Sequence, residues 1–542
     1  MQISSIQNLT AFKGATLNIN ALSDTHGHIE LTDNAYQAMD TLKEDVFEKE
    51  KDGRKNYLII GGDWAISGDI NGFLTKPDKP LIWFQIEMLN KFIEKIKEHS
   101  PKTEVLFTPG NHDLDGGIGL FQDVMKNFDG KILMTNLNFQ KSPAFSNLIK
   151  NNKLVSSKVD FVKDDKDENK LHPVLNLGVA PVNLDYYVNS EGIELIDNEK
   201  IAQKYVSTFH YRKTLDAVSK EVEDFKNKYE NGTVILTCHT GANFADCCAK
   251  QGGIDLIFDA HEHKDEVRVV NNTPIVALSQ NFEKLVNAKI NIDDSGSKKE
   301  IKITDIKPPK KVRQGELGKL YSKLFEEDSK NIFTIKSEDI KKLDIKNIRN
   351  RNNNLANFVC DAVLDGIKEK DPTVQIFALN ASAIRGGLKL GDEPQNSMFD
   401  VLNCLNGISR GQADIYVNEV TGRELVEIIK DNFEFNAQNP ETNPLIHYSG
   451  ITVDKTNFMK EASTKPEDYC KYITLEDTDE TVNPDKTYKI ANPEKYFVKS
   501  NNPKIKSMQN FAYPLNLNVR DLFCDYFKKH NEITVKSRTR FY

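Results

Sequence analysis

Side chains that can bind metal ions follow several apolar segments of this sequence. The stretch FTPGNHDLDGG (107–117) places an amide, an imidazole and a carboxylate directly after the apolar run 105–107, and similar residues follow four other apolar runs. Carboxylate, imidazole and amide ligands together suit Mn, Fe, Co or Zn, whereas Ca and Mg prefer mostly oxygen. The candidate residues are Asp24, His26, Asp63, Asn111, His112, His239, His261 and His263.

The number of these side chains indicates more than one metal ion. Seven of them exceed what one tetrahedral site needs, and thiolates, which structural zinc sites favour, are not among them. Asp63 is best placed to bridge two ions about 3.5–4 Å apart, as in two-metal hydrolases. The seven predicted ligands are Asp24, His26, Asp63, Asn111, His239, His261 and His263.

Alternating strands and helices are predicted to position these residues. Amphipathic spacing predicts helices over 33–52 and 81–99, the second from apolar residues three and four apart. This alternation favours a layered α/β core, in which ligands gather beyond the carboxyl ends of strands. The predicted strands are 16–24, 56–63, 103–110, 233–239, 254–261 and 273–280.

The second half of the chain is predicted to be a separate α/β unit. Residues 293–350 are polar, charged and interrupted by Pro308 and Pro309, which favours a connection between domains. The basic segment 307–313 is interpreted as part of this solvated linker. Helices at 352–367 and 422–433 flank a strand at 374–380.

Composition limits the classes of function. A net charge of -8 and a pI near 5.9 argue against a nucleic-acid surface. The seven cysteines form no CxxC pair, which favours free thiols in a reducing compartment. No secretory signal is seen at the start, and no segment has the roughly 20 apolar residues that span a membrane. These features predict a cytoplasmic protein.

The order DxH, GD, GNHD, H, HxH resembles the calcineurin-like metallophosphoesterases. In the second half, NASAIRGGL (380–388), LANFVCDA and HYSGITVDKT (447–456) resemble the C-terminal domain of the 5'-nucleotidase branch. The resemblance implies a four-layer α/β/β/α sandwich over 16–292, a linker over 293–344 and a 5'-nucleotidase-like α/β domain over 345–535.

The resemblance also implies roles for individual residues. One metal would be held by Asp24, His26, Asp63 and His263, and the other by Asp63, Asn111, His239 and His261. His112 matches the family's catalytic histidine, and Asp115 matches the carboxylate that orients it.

The substrate-binding residues are less well matched. Arg385 is the main candidate, because its guanidinium can bind an anionic or sugar oxygen with two hydrogen bonds. The family's glycine-rich loop is missing, since no glycine follows Gly450, and Leu445 stands near the place of one expected base-stacking ring. The other candidates carried over from the family are Asn406, Arg410 and Phe497.

The last motif, DAHEH, also departs from the usual GGHSH. Asp259 and Glu262 either add negative charge near the metals or point away from them. His28, two residues after His26, is interpreted as lying outside the metal ligands.

We therefore predict a phosphoester hydrolase that uses metal-activated hydroxide for in-line attack, with His112 assisting the leaving group. A substrate domain would select a small phosphorylated molecule at the interdomain cleft, with nucleoside 5'-monophosphates and 2',3'-cyclic nucleotides as leading candidates. The alternatives are a phosphodiesterase or pyrophosphatase for a sugar nucleotide or a non-nucleotide substrate, and a metal-bound binding module without turnover.

Overall fold

The computed structural model describes two compact units. One is formed by residues within 14–64 and 81–323, and the other by residues within 330–541. The described residues are 14–25, 46–47, 54–64, 81–114, 117–139, 145–167, 169–181, 206–280, 284–306, 323, 330–405, 407–408, 413–440, 443–493 and 512–541.

The first unit contains two β-sheets. Its strands are β1 (Gly14–Leu22), β2 (Arg54–Ile60), β3 (Glu104–Phe107), β4 (Lys131–Leu133), β5 (Leu154–Val155), β6 (Ser157–Lys163), β7 (Leu171–Val179), β8 (Thr233–Cys238), β9 (Leu256–Asp259), β10 (Val267–Val270), β11 (Thr273–Ala277), β12 (Leu285–Asp293) and β13 (Lys299–Ile306). Its helices are α1 (Leu81–His99), α2 (Gly117–Met125), α3 (Ser146–Lys150), α4 (Val206–Lys228) and α5 (Ala242–Gln251), with a 3-10 turn at His112–Leu114.

The two sheets pack face to face. Among the described strands, seven pair in the order β13-β12-β1-β2-β3-β4-β5 and six in the order β10-β11-β9-β8-β7-β6. Leu17 and Tyr57 of the first sheet pack against Val174, Ile235 and Phe258 of the second. This apolar layer stabilises the unit, because it removes both inner faces from water.

Helices cover the outer faces. The six-stranded sheet packs on α4 and α5 through residues such as Val218 and Phe244. On the seven-stranded sheet, Asn56 of β2 donates a hydrogen bond to the Ser100 hydroxyl, just after α1. The structure thus confirms the predicted α/β fold, including the helix at 81–99. The helix predicted at 33–52 lies almost wholly outside the described residues.

One part of the predicted linker is a strand. Residues 299–306 form β13, which pairs antiparallel with β12 over Leu285–Ile292, so the domain boundary predicted at 292 needs correction here. Charged and apolar residues alternate along β13, with Ile301 and Ile303 packing on the core. An edge strand with one solvated face is rich in charge, which is why its composition suggested a linker.

The second unit contains nine described strands, and five of them form its central sheet. Its strands are β14 (Thr334–Lys336), β15 (Ile376–Asn380), β16 (Asp414–Thr421), β17 (Ile446–Ser449), β18 (Ile451–Val453), β19 (Ile473–Leu475), β20 (Thr487–Pro493), β21 (Tyr513–Asn518) and β22 (Glu532–Thr534). Its helices are α6 (Asn354–Lys370), α7 (Met398–Cys404), α8 (Gly422–Gln438), α9 (Lys455–Lys460) and α10 (Val519–Lys529), with 3-10 turns at Ala381–Ala383 and Pro466–Tyr472. The sheet order is β17-β15-β20-β16-β21 among the described strands.

Parts of this unit also lie outside the predicted domain range. The strand β14 pairs in parallel with β22, so residues 334–336 belong to this unit and not to a linker. The predicted helices and strand at 352–367, 374–380 and 422–433 correspond to α6, β15 and α8.

All seven cysteines are free. Within the described residues, no helix is long and apolar enough to cross a bilayer.

A buried histidine makes the second unit sensitive to acid. His447 of β17 is fully buried, and its Nε2 donates a hydrogen bond to the Ile348 carbonyl at 2.9 Å. Burial lowers the pKa of His447 to about 4; the bond to Ile348 opposes this, while the charges of Arg540 and Lys455 add to it. In the unfolded chain the pKa is about 6.5, so the unfolded state takes up the proton first as pH falls.

We therefore expect His447 to cost the second unit about 2 kcal/mol of unfolding free energy between roughly pH 7.5 and pH 5. Urea unfolding at both pH values measures this loss. His447→Gln keeps a donor for Ile348 but does not titrate, so its loss should be smaller by that amount. An equal loss in both proteins would contradict the prediction.

Candidate metal centre

The predicted ligands that the structure describes lie at strand ends of the first unit. Asp24 follows β1, Asp63 follows β2 and Asn111 follows β3, while His239 and His261 follow β8 and β9 of the other sheet. Strands β1, β2 and β3 are parallel to one another, and so are β8 and β9. The carboxyl ends of the parallel strands therefore lie at the same edge of each sheet.

Backbone contacts bring the strand ends together. The Gly61 N–H donates to the Leu22 carbonyl at 2.8 Å, and the Asp24 N–H donates to the Gly62 carbonyl at 2.9 Å. The Gly61 carbonyl lies 2.7 Å from Nδ1 of His239, which joins the two sheets at this point. This contact assigns the proton to Nδ1 and leaves Nε2 of His239 directed at the carboxylates.

Asp63, His239 and His261 form the centre of the cluster. Nε2 of His239 lies 3.2 Å from Oδ2 of Asp63, and Nδ1 of His261 lies 3.3 Å from that same Nε2. One ligand atom from each of the three residues falls within 4.8 Å of the others. These separations suit three ligands of one ion.

Asp24 joins a neighbouring set. Its Oδ1 lies 3.2 Å from Nε2 of His263 and 3.9 Å from Nε2 of His239. Its Oδ2 accepts a hydrogen bond from the His261 N–H at 3.2 Å. The structure thus brings together Asp24, Asp63, His239, His261 and His263.

Four of these residues have an unusual backbone conformation. The φ angles are 53° at Asp24, 49° at Asp63, 83° at His261 and 56° at His263. Non-glycine residues rarely adopt positive φ, which costs about 1–3 kcal/mol each and persists only where surrounding contacts impose it. The concentration of such residues here indicates a functional site.

The charges favour a cation. Burial opposes a charged His239, but the carboxylates of Asp63 and Asp24 outweigh burial and raise the pKa of His239 to about 10. Burial likewise opposes ionisation of Asp24, but His239 and His263 hold its pKa well below the ordinary value. Burial, together with His239, lowers the pKa of His261 to about 4. Two buried carboxylates therefore face imidazoles in a site that attracts positive charge.

An unsatisfied oxygen tests whether metal ions fit. Oδ1 of Asn111 is buried and has no hydrogen-bond partner among the described residues. Leaving a buried acceptor unpaired costs about 1–3 kcal/mol, so such atoms are rare unless something else binds them. Amide oxygen, carboxylate and imidazole are the donor set of Mn, Fe, Co and Zn. The side chains therefore fit divalent transition metals.

Asp113, which has no predicted role, organises the site. Its buried carboxylate accepts hydrogen bonds from the Asp63 N–H and the Gly110 N–H, both at 2.8 Å. The His112 N–H in turn donates to Oδ1 of Asp63 at 2.8 Å. Asp113 thus fixes the loop after β2 against the loop after β3. The available signal was an acidic residue at a buried strand end with no predicted ligand role.

The close approach of these loops predicts a strong effect of Gly110→Ala. A Cβ at Gly110 would overlap Oδ1 of Asp63 and lie 2.5 Å from the backbone nitrogen of Asp63. We expect affinity for Mn²⁺ to fall about 10- to 100-fold, as for changes that displace metal ligands. Calorimetric titration with Mn²⁺ measures the affinity.

Gly366→Ala, on α6, is the control, because its Cβ would meet only the flexible Leu522 side chain of α10. Unchanged Mn²⁺ affinity in Gly110→Ala would show that the two loops can separate without harm.

The extra charges of the DAHEH motif are paired. Asp259 contacts Arg268 at 2.8 Å, and Glu262 contacts Lys264 at 2.8 Å. Of the two interpretations left open by the sequence, the one in which these charges point to partners fits the structure.

Two further predicted site residues, Arg385 and His112, lie within the described part of the chain. Arg385 lies in the second unit, half-buried, with its N–H donating to the Cys404 carbonyl at 2.9 Å, and its role stays a prediction. His112 is half-buried beside Asp63. The residues outside the described part of the chain are His26, His28, Asp115, Asn406, Arg410 and Phe497.

Models of two known protein families match the two units of the chain separately. The calcineurin-like phosphoesterase model matches residues 17–265, and the 5'-nucleotidase C-terminal domain model matches residues 331–499. A search of curated protein sequences finds no match.

Solved structures share the fold at low sequence identity. A 5'-nucleotidase precursor from Thermus thermophilus has 15% identity and a TM-score of 0.67, covering 97% of this chain and 99% of its own. The sulfate thiohydrolase SoxB of Thermus thermophilus has 14% identity and a TM-score of 0.60, covering 99% of this chain and 97% of its own. At these identities the likeness describes the fold alone.

Proposed function

We propose that this chain, which belongs to the calcineurin-like phosphoesterases and carries a 5'-nucleotidase C-terminal domain, hydrolyses a nucleotide with the help of two divalent metal ions. Members of the phosphoesterase family are hydrolases of phosphoesters. The nucleotide substrate and the pair of ions are the parts proposed here. The convergence of Asp63, His239 and His261 carries the proposal.

The residues divide into two ligand sets around Asp63. We assign Asp24 and His263, which lie 3.2 Å apart, to one ion, with His26 as their predicted companion. We assign Asn111, His239 and His261 to the other ion; His239 lies 3.2 Å from Asp63 and 3.3 Å from His261. Bound cations supply positive charge for phosphate oxygens and acidify water enough for attack near neutral pH. Asp63, between both sets, would hold the two ions together.

His112 would assist the leaving group. Its backbone N–H is fixed to Asp63 at 2.8 Å, while its ring is half-buried and is not one of the predicted ligands. The ring would therefore stand beside the bound phosphate and donate a proton to the departing oxygen. Asp63 positions this histidine through the backbone, so ligand and proton donor are built as one unit.

The substrate class is proposed from the second domain. The match to the 5'-nucleotidase C-terminal domain favours a nucleotide, and Arg385 offers a cation for an anionic or sugar oxygen. The candidates are nucleoside 5'-monophosphates, 2',3'-cyclic nucleotides and nucleotide sugars.

A substrate panel tests the proposal. Protein freed of metal with EDTA is supplied with Mn²⁺ or Co²⁺ and assayed on p-nitrophenyl phosphate, bis-p-nitrophenyl phosphate and the three nucleotide classes. We expect turnover that depends on added metal and is greatest on one nucleotide class. Metal binding without turnover on any substrate would overturn the proposal in favour of a binding module. Turnover on the synthetic esters alone would overturn the nucleotide assignment.

A further inference from the structure

The loop that carries two predicted ligands is held by ion pairs at both ends. This ligand loop, residues 259–266, contains His261 and His263, both at positive φ. Strained conformations of this kind need outside contacts to maintain them. Besides Asp24, which contacts His261 and His263, two cations outside the loop pair with its ends, Arg268 and Lys284.

Arg268 holds the start of the loop. Its Nη2 donates to Oδ2 of buried Asp259 at 2.8 Å, and its Nε donates to Asp246 of α5 at 2.9 Å. The other oxygen of Asp259 lies 3.7 Å from the Cys238 thiol, next to His239. The guanidinium therefore ties the end of β9 to helix α5, two residues before His261.

Lys284 holds the end of the loop. Its side chain is only 5% exposed, and its ammonium pairs with Asp265 in the loop and with Asp305 of β13 at 3.0 Å. Lys284 directly precedes β12, a strand of the seven-stranded sheet. A buried ammonium between two carboxylates thus joins the ligand loop to the sheet that carries Asp24 and Asp63.

We propose that Arg268 and Lys284 are positioning residues that hold His261 and His263 in the geometry that binds metal. The inference rests on the proposed function, because it assumes that these histidines are ligands. It explains one acidic residue of DAHEH, because Asp259 is the anchor for Arg268. Asp265, two residues after the motif, is the anchor for Lys284. Both cations pair with carboxylates at the ends of the loop, so each acts through the loop backbone.

The alternative is that both ion pairs merely stabilise the unit. Removing Arg268 leaves the buried carboxylate of Asp259 unpaired, which destabilises a protein wherever it occurs. Removing Lys284 leaves Asp265 and Asp305 in contact with water, with side-chain exposures of 56% and 44%, so little stability should be lost. The two substitutions therefore separate positioning from general stability.

Calorimetric titration with Mn²⁺ and thermal unfolding of four variants test the proposal. Lys284→Met keeps the buried stem and removes the charge. Arg268→Met is paired with the double variant Asp259→Asn/Arg268→Met. The double variant removes the unpaired charge of Asp259 but does not restore the ion pair that holds the loop. Lys299→Met is the control, because Lys299 pairs with Asp255 at 2.9 Å, at the other end of β9 and away from the ligands.

We expect Lys284→Met, Arg268→Met and the double variant to bind Mn²⁺ about 10- to 100-fold more weakly, as for residues that orient metal ligands. The melting temperature should recover in the double variant relative to Arg268→Met, while its affinity stays low. Lys299→Met should bind Mn²⁺ like the unmodified protein.

Equal Mn²⁺ affinity in the unmodified protein, Lys284→Met and the double variant would overturn the inference and leave the proposed function intact. An equal loss in Lys299→Met would show that any ion pair of the unit has this effect, which also overturns it. No Mn²⁺ binding by the unmodified protein would instead overturn the proposed function.

Discussion

Asp63→Asn is expected to lower metal-dependent phosphoesterase activity on the order of a thousandfold. In the unmodified protein, Oδ1 of Asp63 accepts a hydrogen bond from the His112 N–H at 2.8 Å. The substituted amide would keep the shape of the side chain and an oxygen for this bond. It would lose the negative charge that lies 3.2 Å from His239 and that we propose is shared by the two ligand sets. Loss of about 4 kcal/mol of transition-state stabilisation corresponds to this factor.

The measurement is kcat/KM on p-nitrophenyl phosphate at saturating Mn²⁺, together with the number of Mn²⁺ ions bound. Asp160→Asn is the matched control, because Asp160 is a buried carboxylate of the same unit that pairs with Lys158 outside the cluster. Its activity should stay close to that of the unmodified protein. Asp63→Asn with two ions bound and more than about a tenth of the activity would contradict a bridging role.

The sequence was sufficient to predict the core of the candidate site because two local patterns coincide there. Apolar runs of strand length mark buried strands, and a metal-binding residue type stands at the end of five of the six strands predicted in the first half. Parallel pairing then places the residues after β1, β2 and β3 at one edge, whatever the length of the connections between them. Asp24, Asp63 and Asn111 could therefore be expected to meet.

The supporting contacts could not be predicted in the same way. Asp113, Arg268 and Lys284 act through partners that are 50, 9 and 19 residues away. A charged residue has no periodic pattern that identifies its partner, and most charges lie on solvated surfaces. The same ambiguity made the charged strand β13 look like part of a linker.

The last residues of the second unit illustrate this limit. The predicted domain stopped at residue 535, yet Arg540 is fully buried and makes several contacts. Its guanidinium donates to both oxygens of Glu476, at 2.8 and 2.9 Å, and to the Asn357 carbonyl at 3.1 Å. It also donates to Asp361 of α6. Arginine is seldom fully buried, so only the three-dimensional contacts reveal this anchor.

Arg540→Met is expected to lower the unfolding free energy of the second unit by about 3 kcal/mol, because breaking a buried ion pair leaves its partners uncompensated. We place the effect at the lower end of the usual range because Glu476 and Asp361 are 20% and 28% exposed. Thermal unfolding should shift by about 6–12 °C for a unit of this size.

Arg423→Met provides the comparison, since the Arg423–Asp485 pair is exposed to solvent and should contribute little to stability. The double variant Arg540→Met/Glu476→Gln separates the loss of the ion-pair attraction from the cost of leaving the Glu476 carboxylate without its cation. If the loss comes from Glu476 left without its cation, the second substitution should restore part of the stability, although Asp361 keeps its charge. A melting temperature for Arg540→Met that matches Arg423→Met would mean that Arg540 does not anchor the second unit.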